Sequence, residues 1–515
     1  MARVVQRRFV TWSTIFMSGV ILLTLIVTAG RCQAEDPSVT ERVDVASGGA
    51  GGAAQADFDT LIELIQATIA PTTWADVGGE GSLQGFPGGV FVDTSGVMHR
   101  LEERVANDLS PVWKSANAIA ERVKFRQEIG RSSHLRKVSL NRLERQLALR
   151  VAEGLPATPE MRFLAGLNRV DYLVIDQNNS DVIIAGPAGP WFINGEGRVV
   201  DQLTLRPVLR LDDLVVLFRN AFLSDGLFVC SITPTQDRLL KTQNFLARSS
   251  QQPLKPGQRK QWLIGLRDAL GHQQIEINGI SSDTRVARVL IEADYHMKRI
   301  GIGLEPGSPE VVSYLDRIEV APGEAPPDLD VLRWWFALRE RLAVWNDDKT
   351  GVRFAPQVVR VLSENELLSR QGLRVHTGQS ERLNREFAQS FTDHFAELAK
   401  LYPVYAELDN LFRLAIVAAV LKHEDIPSRV NWPMRFWLTE EKYRVPHGRA
   451  PREVLSVVNH RVINRKYVIA AVSGGVSFRP ADLYARGFKS GGIRIRKMSQ
   501  PRNDSKKKHA SWWWD

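Results

Sequence analysis

The 515-residue chain contains only two cysteines, Cys32 and Cys230. Cys32 lies in an N-terminal segment that has the features of a removable leader, so Cys230 would be alone in the mature chain. A single cysteine cannot form an internal disulfide bond, and stability must therefore come from packed cores. Cys230 lies in the apolar run 227–230, where we expect a buried and unreactive thiol.

The sequence also lacks the common metal and cofactor motifs. It has no His-Glu-x-x-His run, so His394 and His423, each with neighbouring acids, do not indicate a zinc site. The glycines at 78, 79 and 81 are not followed by the lysine and serine or threonine of a phosphate-binding loop. The Gly301-x-Gly303 pair lacks the third glycine of a dinucleotide site. We therefore predict no metal and no cofactor.

The first 34 residues have the layout of an export signal. Three arginines lie at the start, an apolar run covers 10–27, and Cys32–Ala34 fits a cleavage site. We predict a signal peptide over 1–34 and an exported protein, either periplasmic or secreted. The alternative is an uncleaved membrane anchor, although hydroxyl residues shorten the apolar run below the roughly 20 residues of a typical span.

Charge is unevenly distributed along the chain, whose formal net charge is +9. Residues 35–90 carry nine acids and one base, residues 100–150 twelve bases and six acids, and residues 486–515 nine bases and two acids. Clustered bases attract polyanions within a Debye length of about 10 Å. For an exported protein we expect anionic envelope polymers or lipid headgroups as partners, and no nucleic acid.

The composition, with 44% hydrophobic and 24% charged residues, is ordinary for a globular protein. We predict a multidomain α+β protein with antiparallel and strand–helix–strand units and a helical hairpin in its C-terminal half. The predicted divisions are a signal peptide (1–34), a flexible linker (35–56), a small acidic module (57–97), a basic helical connector (98–155), an α/β domain (156–320), an α+β domain (328–485) and a disordered basic tail (486–515).

Local patterns predict several elements within these divisions. A helix follows N-cap oxygens at 281–283 and carries an apolar stripe, and 300–304 is predicted as the strand after it. Strand pairs are predicted over 172–175 with 182–185, over 332–344 with 352–362, and over 454–462 with 467–473. A helical hairpin is predicted from Leu383 to Lys422, with Pro403 in the first turn of its second helix.

Several runs resemble one family. Residues 259–262, 280–288 and 292–298 resemble the planctomycete family known as domain of unknown function 1598, and 361–366, 402–408 and 456–461 resemble it more loosely. The acidic segment 57–86 is similar to a short module of exported planctomycete proteins. The family has no known activity, cofactor or catalytic residues. The resemblance therefore implies an uncharacterised exported envelope protein and no particular chemistry.

The helix over 283–298 offers one candidate binding face. Arg288, Glu292 and His296 recur every four residues and therefore share a face. An acid, an imidazole and a guanidinium together can bind an anion or perform acid–base chemistry. A solvated face with helix ion pairs explains the same pattern and is the reading that we favour.

Ser473 and His460 are weak candidates for catalysis. Ser473 follows a strand and precedes two glycines, and His460 lies on the preceding strand. The segment lacks the glycine two residues before the serine that marks a nucleophile elbow. A glycine-containing turn accounts for the pattern better.

The tail has a clear physical mechanism for binding. Lys506, Lys507 and Lys508 can attach to anionic surfaces, and Trp512, Trp513 and Trp514 can insert at a membrane interface or stack on sugars. An unstructured end with incidental composition is the competing interpretation. Our leading hypothesis is a non-enzymatic binding or scaffolding protein of the cell envelope. The alternative is an extracytoplasmic hydrolase built around His460 and Ser473 or around the Arg288/Glu292/His296 face.

Overall fold

The computed structural model describes residues 82–86, 89–93, 130–249, 258–319, 331–448, 450–463, 466–489 and 512–515. The predicted signal peptide, the predicted linker and Lys506–Lys508 lie outside these residues. The described strands are β1 (Ser82–Phe86), β2 (Gly89–Asp93), β3 (Ser133–Ser139), β4 (Tyr172–Asp176), β5 (Asp181–Ala188), β6 (Trp191–Ile193), β7 (Val199–Asp201), β8 (Phe228–Pro234), β9 (His272–Asn278), β10 (Val331–Leu338), β11 (Ala343–Trp345), β12 (Gly351–Phe354), β13 (Val359–Leu368), β14 (Arg374–His376), β15 (Glu453–Leu455), β16 (Val458–Ile463), β17 (Lys466–Phe478), β18 (Phe488–Lys489) and β19 (Trp513–Trp514).

Helices lie between runs of these strands along the described chain. They are α1 (Leu140–Ala152), α2 (Pro159–Arg162), α3 (Leu211–Leu223), α4 (Gln236–Ser249), α5 (Arg259–Leu270), α6 (Arg285–Gly301), α7 (Arg382–Asp393), α8 (Phe395–Leu401), α9 (Pro403–His423), α10 (Ile426–Arg429), α11 (Arg435–Leu438) and α12 (Pro480–Asp482). This mixture confirms the predicted α+β class. None of the helices in these described ranges is both long and apolar enough to cross a bilayer.

Two large sheets organise the fold. The eight-stranded sheet has the order β14-β13-β10-β17-β8-β9-β15, with β16 pairing with β17. The seven-stranded sheet has the order β18-β11-β12-β4-β5-β3-β19. Most neighbours are antiparallel, but β10–β17 and β11–β18 are parallel. Both sheets take strands from the predicted 156–320 and 328–485 segments, so the predicted boundary does not separate two sheets.

The segment 331–368 links the two sheets. The sequence pattern predicted one strand pair here, and the structure contains two pairs, one nested inside the other. The outer pair, β10 with β13, belongs to the eight-stranded sheet, whereas the inner pair, β11 with β12, belongs to the seven-stranded sheet. Asn346 shapes the inner turn because its side-chain oxygen accepts hydrogen bonds from the amides of Thr350 and Gly351.

Helix α6 packs on the eight-stranded sheet through the predicted apolar stripe. Val286, Leu290, Ala293 and Met297 are fully buried. Its N-cap is Thr284, whose hydroxyl accepts from the amide of Ala287 at 3.3 Å, rather than the predicted residues 281–283. The predicted strand 300–304 is wrong, because α6 continues to Gly301 and turns follow it. The next described strand is β10.

Helix α9 forms the centre of the core. Every residue from Val404 to Leu421 is buried, which is typical of a helix surrounded by protein on all sides. Arg413 is fully buried on this helix and donates to Asp409 at 2.7 Å and to the carbonyl oxygens of Val170, Ala355 and Pro356 at 2.7–2.8 Å. These hydrogen bonds tie α9 to loops flanking the seven-stranded sheet. The predicted helical hairpin is present, with its first arm divided into α7 and α8.

Both described ends of the predicted 486–515 tail belong to the seven-stranded sheet. Phe488–Lys489 pairs with β11, and Trp513–Trp514 pairs with β3. Trp512 and Trp514 are buried. The expectation of disorder is therefore wrong for these residues. The described part of the predicted connector is also integrated into the fold, since β3 and α1 contribute to the sheet and the core.

Candidate anion-binding site

An ion-pair chain runs across four elements at one end of α9. Glu407 on α9 is only 4% exposed and accepts hydrogen bonds from both Arg198 and Arg285. Arg285 also pairs with Asp213, and Arg198 also pairs with Glu292. Charges therefore alternate in the order Asp213, Arg285, Glu407, Arg198, Glu292, and we call this set the ion-pair chain.

Local structure fixes each arginine of the ion-pair chain. Arg198 follows the turn between β6 and β7, where the side-chain oxygen of Asn194 accepts from its amide at 2.9 Å. Arg285 is the first residue of α6, directly after the Thr284 cap. Glu407 faces the two guanidiniums one turn into α9. Burial opposes ionisation of Glu407, but Arg285 and Arg198 outweigh it and hold the pKa of its carboxyl below the usual value.

Two further arginines lie beside the ion-pair chain without a hydrogen-bond partner among the described residues. Arg210 precedes α3, and its guanidinium carbon lies 6.0 Å from the ring centroid of Phe163. The Nε atom of Arg288 is buried and unpaired. Burial, with Arg285 nearby, lowers the pKa of Arg210 to about 10 and lowers the pKa of Arg288. The Nε atom of Arg288 therefore loses hydration without gaining a hydrogen bond in exchange.

One acceptor in the same place is also unsatisfied. Oδ1 of Asp213 is buried without a partner, although Oδ2 pairs with Arg285. A small cleft of roughly 30 Å³ opens beside Arg210 and is lined by Arg162, Phe163, Ile193, Gly197, Val199, Arg210 and Asp212, the residue before Asp213. Unpaired donors and an unpaired acceptor together match a ligand group that is anionic and carries a neighbouring hydroxyl or amine.

Glu292 and Arg288 of the predicted face belong to this site, whereas His296 makes separate contacts. Nδ1 of His296 lies 2.6 Å from the Tyr405 hydroxyl, and Nε2 pairs with Glu305. Glu305 also pairs with Arg299 at 2.9 Å. Tyr405 is fully buried. Because both ring nitrogens are engaged, His296 joins α6, α9 and the segment after α6.

Sequence reasoning found Arg288 and Glu292 but missed the rest of the site. The missed residues are Arg198, Arg210, Asp213, Arg285 and Glu407. Glu407 carried a usable signal, because it is an acid inside an apolar helix and lies in a run already noted for its resemblance. Arg198 carried none, since its role depends on a hairpin folding against a helix about 200 positions away.

Ser473 lies in a different polar cluster, on the opposite face of the eight-stranded sheet from α6. It is 1% exposed, and its hydroxyl accepts from Arg374 at 3.1 Å and lies 3.4 Å from Glu366. His460 pairs in register with Ile469, four residues before Ser473 on β17. Four residues of strand span about 13 Å, so the backbone positions of His460 and Ser473 are about this far apart.

The same cluster contains a possible set of metal ligands. Donor atoms of Glu364, Glu366 and His376 lie within 4.8 Å of one another. Arg374 binds both oxygens of Glu366 at 2.6–2.7 Å, and Arg333 binds Glu364 at 2.9 Å. A metal ion would have to displace these guanidiniums from the carboxylates. The cluster is therefore better described as a satisfied ion-pair network.

The predicted tryptophan surface is not available for a membrane or a sugar. Trp512 is 6% exposed and Trp514 is 8% exposed, and Trp513 lies against Arg136. Trp514 packs with Val174 and Ile183 in a small cluster beside the seven-stranded sheet. These side chains serve packing within the chain, which corrects the expectation that they form an exposed binding surface.

Comparison with known protein families finds a match for only part of the chain. Residues 230–314 match the model of a protein family of unknown function, DUF1598. This range contains α6 and thus Arg285, Arg288, Glu292 and His296. No curated protein and no solved structure matches the chain. The resemblance to domain of unknown function 1598 is therefore confirmed over residues 230–314.

Proposed function

We propose that this protein is an exported, non-catalytic binding protein that takes an anionic group of an envelope polymer at the site of Arg210 and Arg288. The observation that carries the proposal is the Nε atom of Arg288, which is buried without a hydrogen-bond partner, together with Arg210, which lines the cleft. A carboxylate or phosphate supplies the missing acceptors and restores the interactions that the guanidiniums lose on burial.

The unpaired oxygen of Asp213 narrows the ligand class. It favours a ligand that carries a hydroxyl or amine close to its anionic group, as the acidic sugars of an envelope polymer do. The cleft at Arg210 admits a single functional group rather than a whole sugar ring. We therefore infer that the site holds one acidic unit of a chain that continues along the surface, with Lys506–Lys508 as a further proposed contact.

Binding is tested with an oligogalacturonate as the acidic glycan, inorganic phosphate as the small anion, and vesicles containing phosphatidylglycerol as the lipid surface. The variants are Arg210→Gln and Arg288→Gln, titrated by isothermal calorimetry at low salt. Each lost charge-assisted interaction is expected to weaken binding of the preferred probe by about 10-fold or more, from the roughly 1.5–3 kcal/mol of such a hydrogen bond.

The matched control is Arg382→Gln. This residue carries the same charge but is 71% exposed on α7, away from the site. The control should bind as the unmodified chain does. Equal losses in the control and the two site variants would show that only the overall charge matters, and the absence of binding by all three probes would reject the proposed ligand class.

Export is tested separately from binding. The proposal expects the native protein in an extracytoplasmic fraction, with a mass reduced by residues 1–34 if the leader is cleaved. A full-length product found in the cytosol would contradict export and leave the anion-binding proposal to be judged by its own titrations.

A further inference from the structure

The edge of the seven-stranded sheet at β3 is covered by a short segment from the far end of the sequence. Trp513 pairs with Val138 and Trp514 with Lys137 in an antiparallel register. The amide of Ser139 also donates to the carbonyl oxygen of Trp512 at 2.8 Å. Without residues 512–515, β3 would be an edge strand with unpaired backbone groups, which is the usual template for an added strand.

An arginine at this edge recognises the acidic residue of the segment. Arg136 on β3 is fully buried, and its Nε lies 2.8 Å from Oδ1 of Asp515 while its Nη2 lies 3.2 Å from Oδ2. Hydrogen bonds from the guanidinium to the carbonyl oxygens of Ala165 and Arg131 help to hold it in this orientation. A two-point contact of this kind selects a carboxylate at one position of the bound strand.

Aromatic contacts fix the remaining positions. Trp514 inserts beside Val174 and Ile183 on one face of the sheet, under the guanidinium of Arg142 at 5.6 Å. Trp513 points to the other face, where the guanidinium of Arg136 lies 4.8 Å from its ring. The edge therefore combines backbone pairing, an aromatic position on each face, and a carboxylate position at the end, which are the parts of a strand-type peptide site.

We propose that the edge of β3 is a peptide-binding site for an extended strand with two tryptophans followed by an aspartate, and that residues 512–515 occupy it as the chain's own competitor. The partner is a peptide of this aromatic and acidic character presented by another molecule. While residues 512–515 are docked, the site is closed to that partner. If they are docked in nine of ten molecules, the apparent affinity for an external peptide falls tenfold.

The experiment uses the full chain in two forms. One is unmodified, and the other carries Trp512→Ser, Trp513→Ser, Trp514→Ser and Asp515→Asn, which removes the competitor and leaves β3 intact. The probe is a fluorescein-labelled peptide with the sequence of residues 510–515, measured by fluorescence anisotropy. We expect saturable binding to the substituted chain and at least tenfold weaker binding to the unmodified chain. Equal affinity for the two chains, or no binding to the substituted chain, would overturn the proposal.

Changes in the peptide avoid any effect on folding. A peptide with Asp515→Asn should bind the substituted chain at least tenfold more weakly, because Arg136 loses its carboxylate. A scrambled peptide of the same composition should not compete, and equal binding by it would show that the site attracts tryptophan without sequence specificity.

If the fourfold variant does not fold, the full chain with Asp515→Asn alone replaces it. This single variant should bind the unmodified peptide better than the parent chain does. Dimers formed by the unmodified chain but not by the variant would show that a second copy supplies the segment, and would overturn its role as a competitor within one chain.

Discussion

Glu407 offers the sharpest test of the site, through replacement by glutamine. The side chain is 4% exposed and lies between Arg198 and Arg285, so Glu407→Gln keeps its volume and removes the central negative charge of the ion-pair chain. Removing one partner from a buried ion pair costs about 3–5 kcal/mol. Arg198 keeps Glu292 and Arg285 keeps Asp213, so we expect a loss near the lower limit, about 3 kcal/mol.

The same substitution should strengthen anion binding. Glu407 repels a negative ligand held by the neighbouring Arg210 and Arg288, and glutamine removes that repulsion. A change of about 1.4 kcal/mol in favour of binding corresponds to a tenfold lower Kd. Stability and affinity therefore move in opposite directions, which a variant that merely distorts the site would not produce.

The assay is urea unfolding followed by tryptophan fluorescence, combined with the calorimetric titration of the preferred anion. Glu386→Gln is the matched control, because Glu386 is 41% exposed and pairs with Arg382 on the surface of α7. The control should change the free energy of unfolding by less than about 1 kcal/mol. An effect of Glu407→Gln no larger than that of the control, or a weaker affinity for the anion, would refute this account of the site.

Three further predictions concern packing, a core arginine and pH. Gly301→Ala would place a methyl group 2.2 Å from the ring of buried Trp334 and should cost about 1–3 kcal/mol in urea unfolding, whereas Gly195→Ala, with open space around it, should be nearly neutral. Arg413→Lys should destabilise the chain by about 2 kcal/mol or more, because an ammonium group cannot donate to one carboxylate and three carbonyl oxygens that lie in separate directions. A loss of unfolding free energy near zero would contradict the stabilising role of these hydrogen bonds. The pKa of the Glu407 carboxyl is lower in the folded state than its usual value of 4.5. The stabilisation from this carboxylate is therefore present above pH 4.5 and is lost as the pH falls. The difference in unfolding free energy between the parent chain and Glu407→Gln should accordingly shrink between pH 5 and pH 3.

Patterns that are local in sequence predicted the structure best. The apolar stripe of α6, the β4–β5 hairpin and the α7–α9 region follow from periodicity and turn residues over fewer than about 40 positions. The sheets could not be predicted in this way, because β17 pairs with β10 and β8, which lie about 140 and 240 residues earlier. The predicted strand at 300–304 failed because its apolar residues serve the end of α6, and periodicity cannot distinguish a short strand from a final helical turn.

The residues of the candidate anion-binding site were also predictable only where the sequence pattern is local. Arg288 and Glu292 were visible because they recur on one helix, but Arg198, Asp213 and Glu407 come from a hairpin, from the start of α3 and from α9. The prediction of a disordered tail was wrong at the tryptophans 512–514 for a related reason. A segment with no periodicity of its own can still be ordered when an existing sheet edge supplies its hydrogen bonds, and that edge lies about 375 positions away.

Because each large sheet is built from strands that are distant in sequence, a short fragment of the chain lacks many of its strand neighbours. Among the described residues, the matched segment 230–314 contributes β8 and β9 to the eight-stranded sheet. The outer neighbours of these two strands, β17 and β15, lie well beyond residue 314. If this fragment were produced alone, two strand edges with unpaired backbone groups and the apolar side of α6 would be exposed to water. We expect it to aggregate rather than fold, so the boundaries recognised by similarity do not mark an autonomous folding unit.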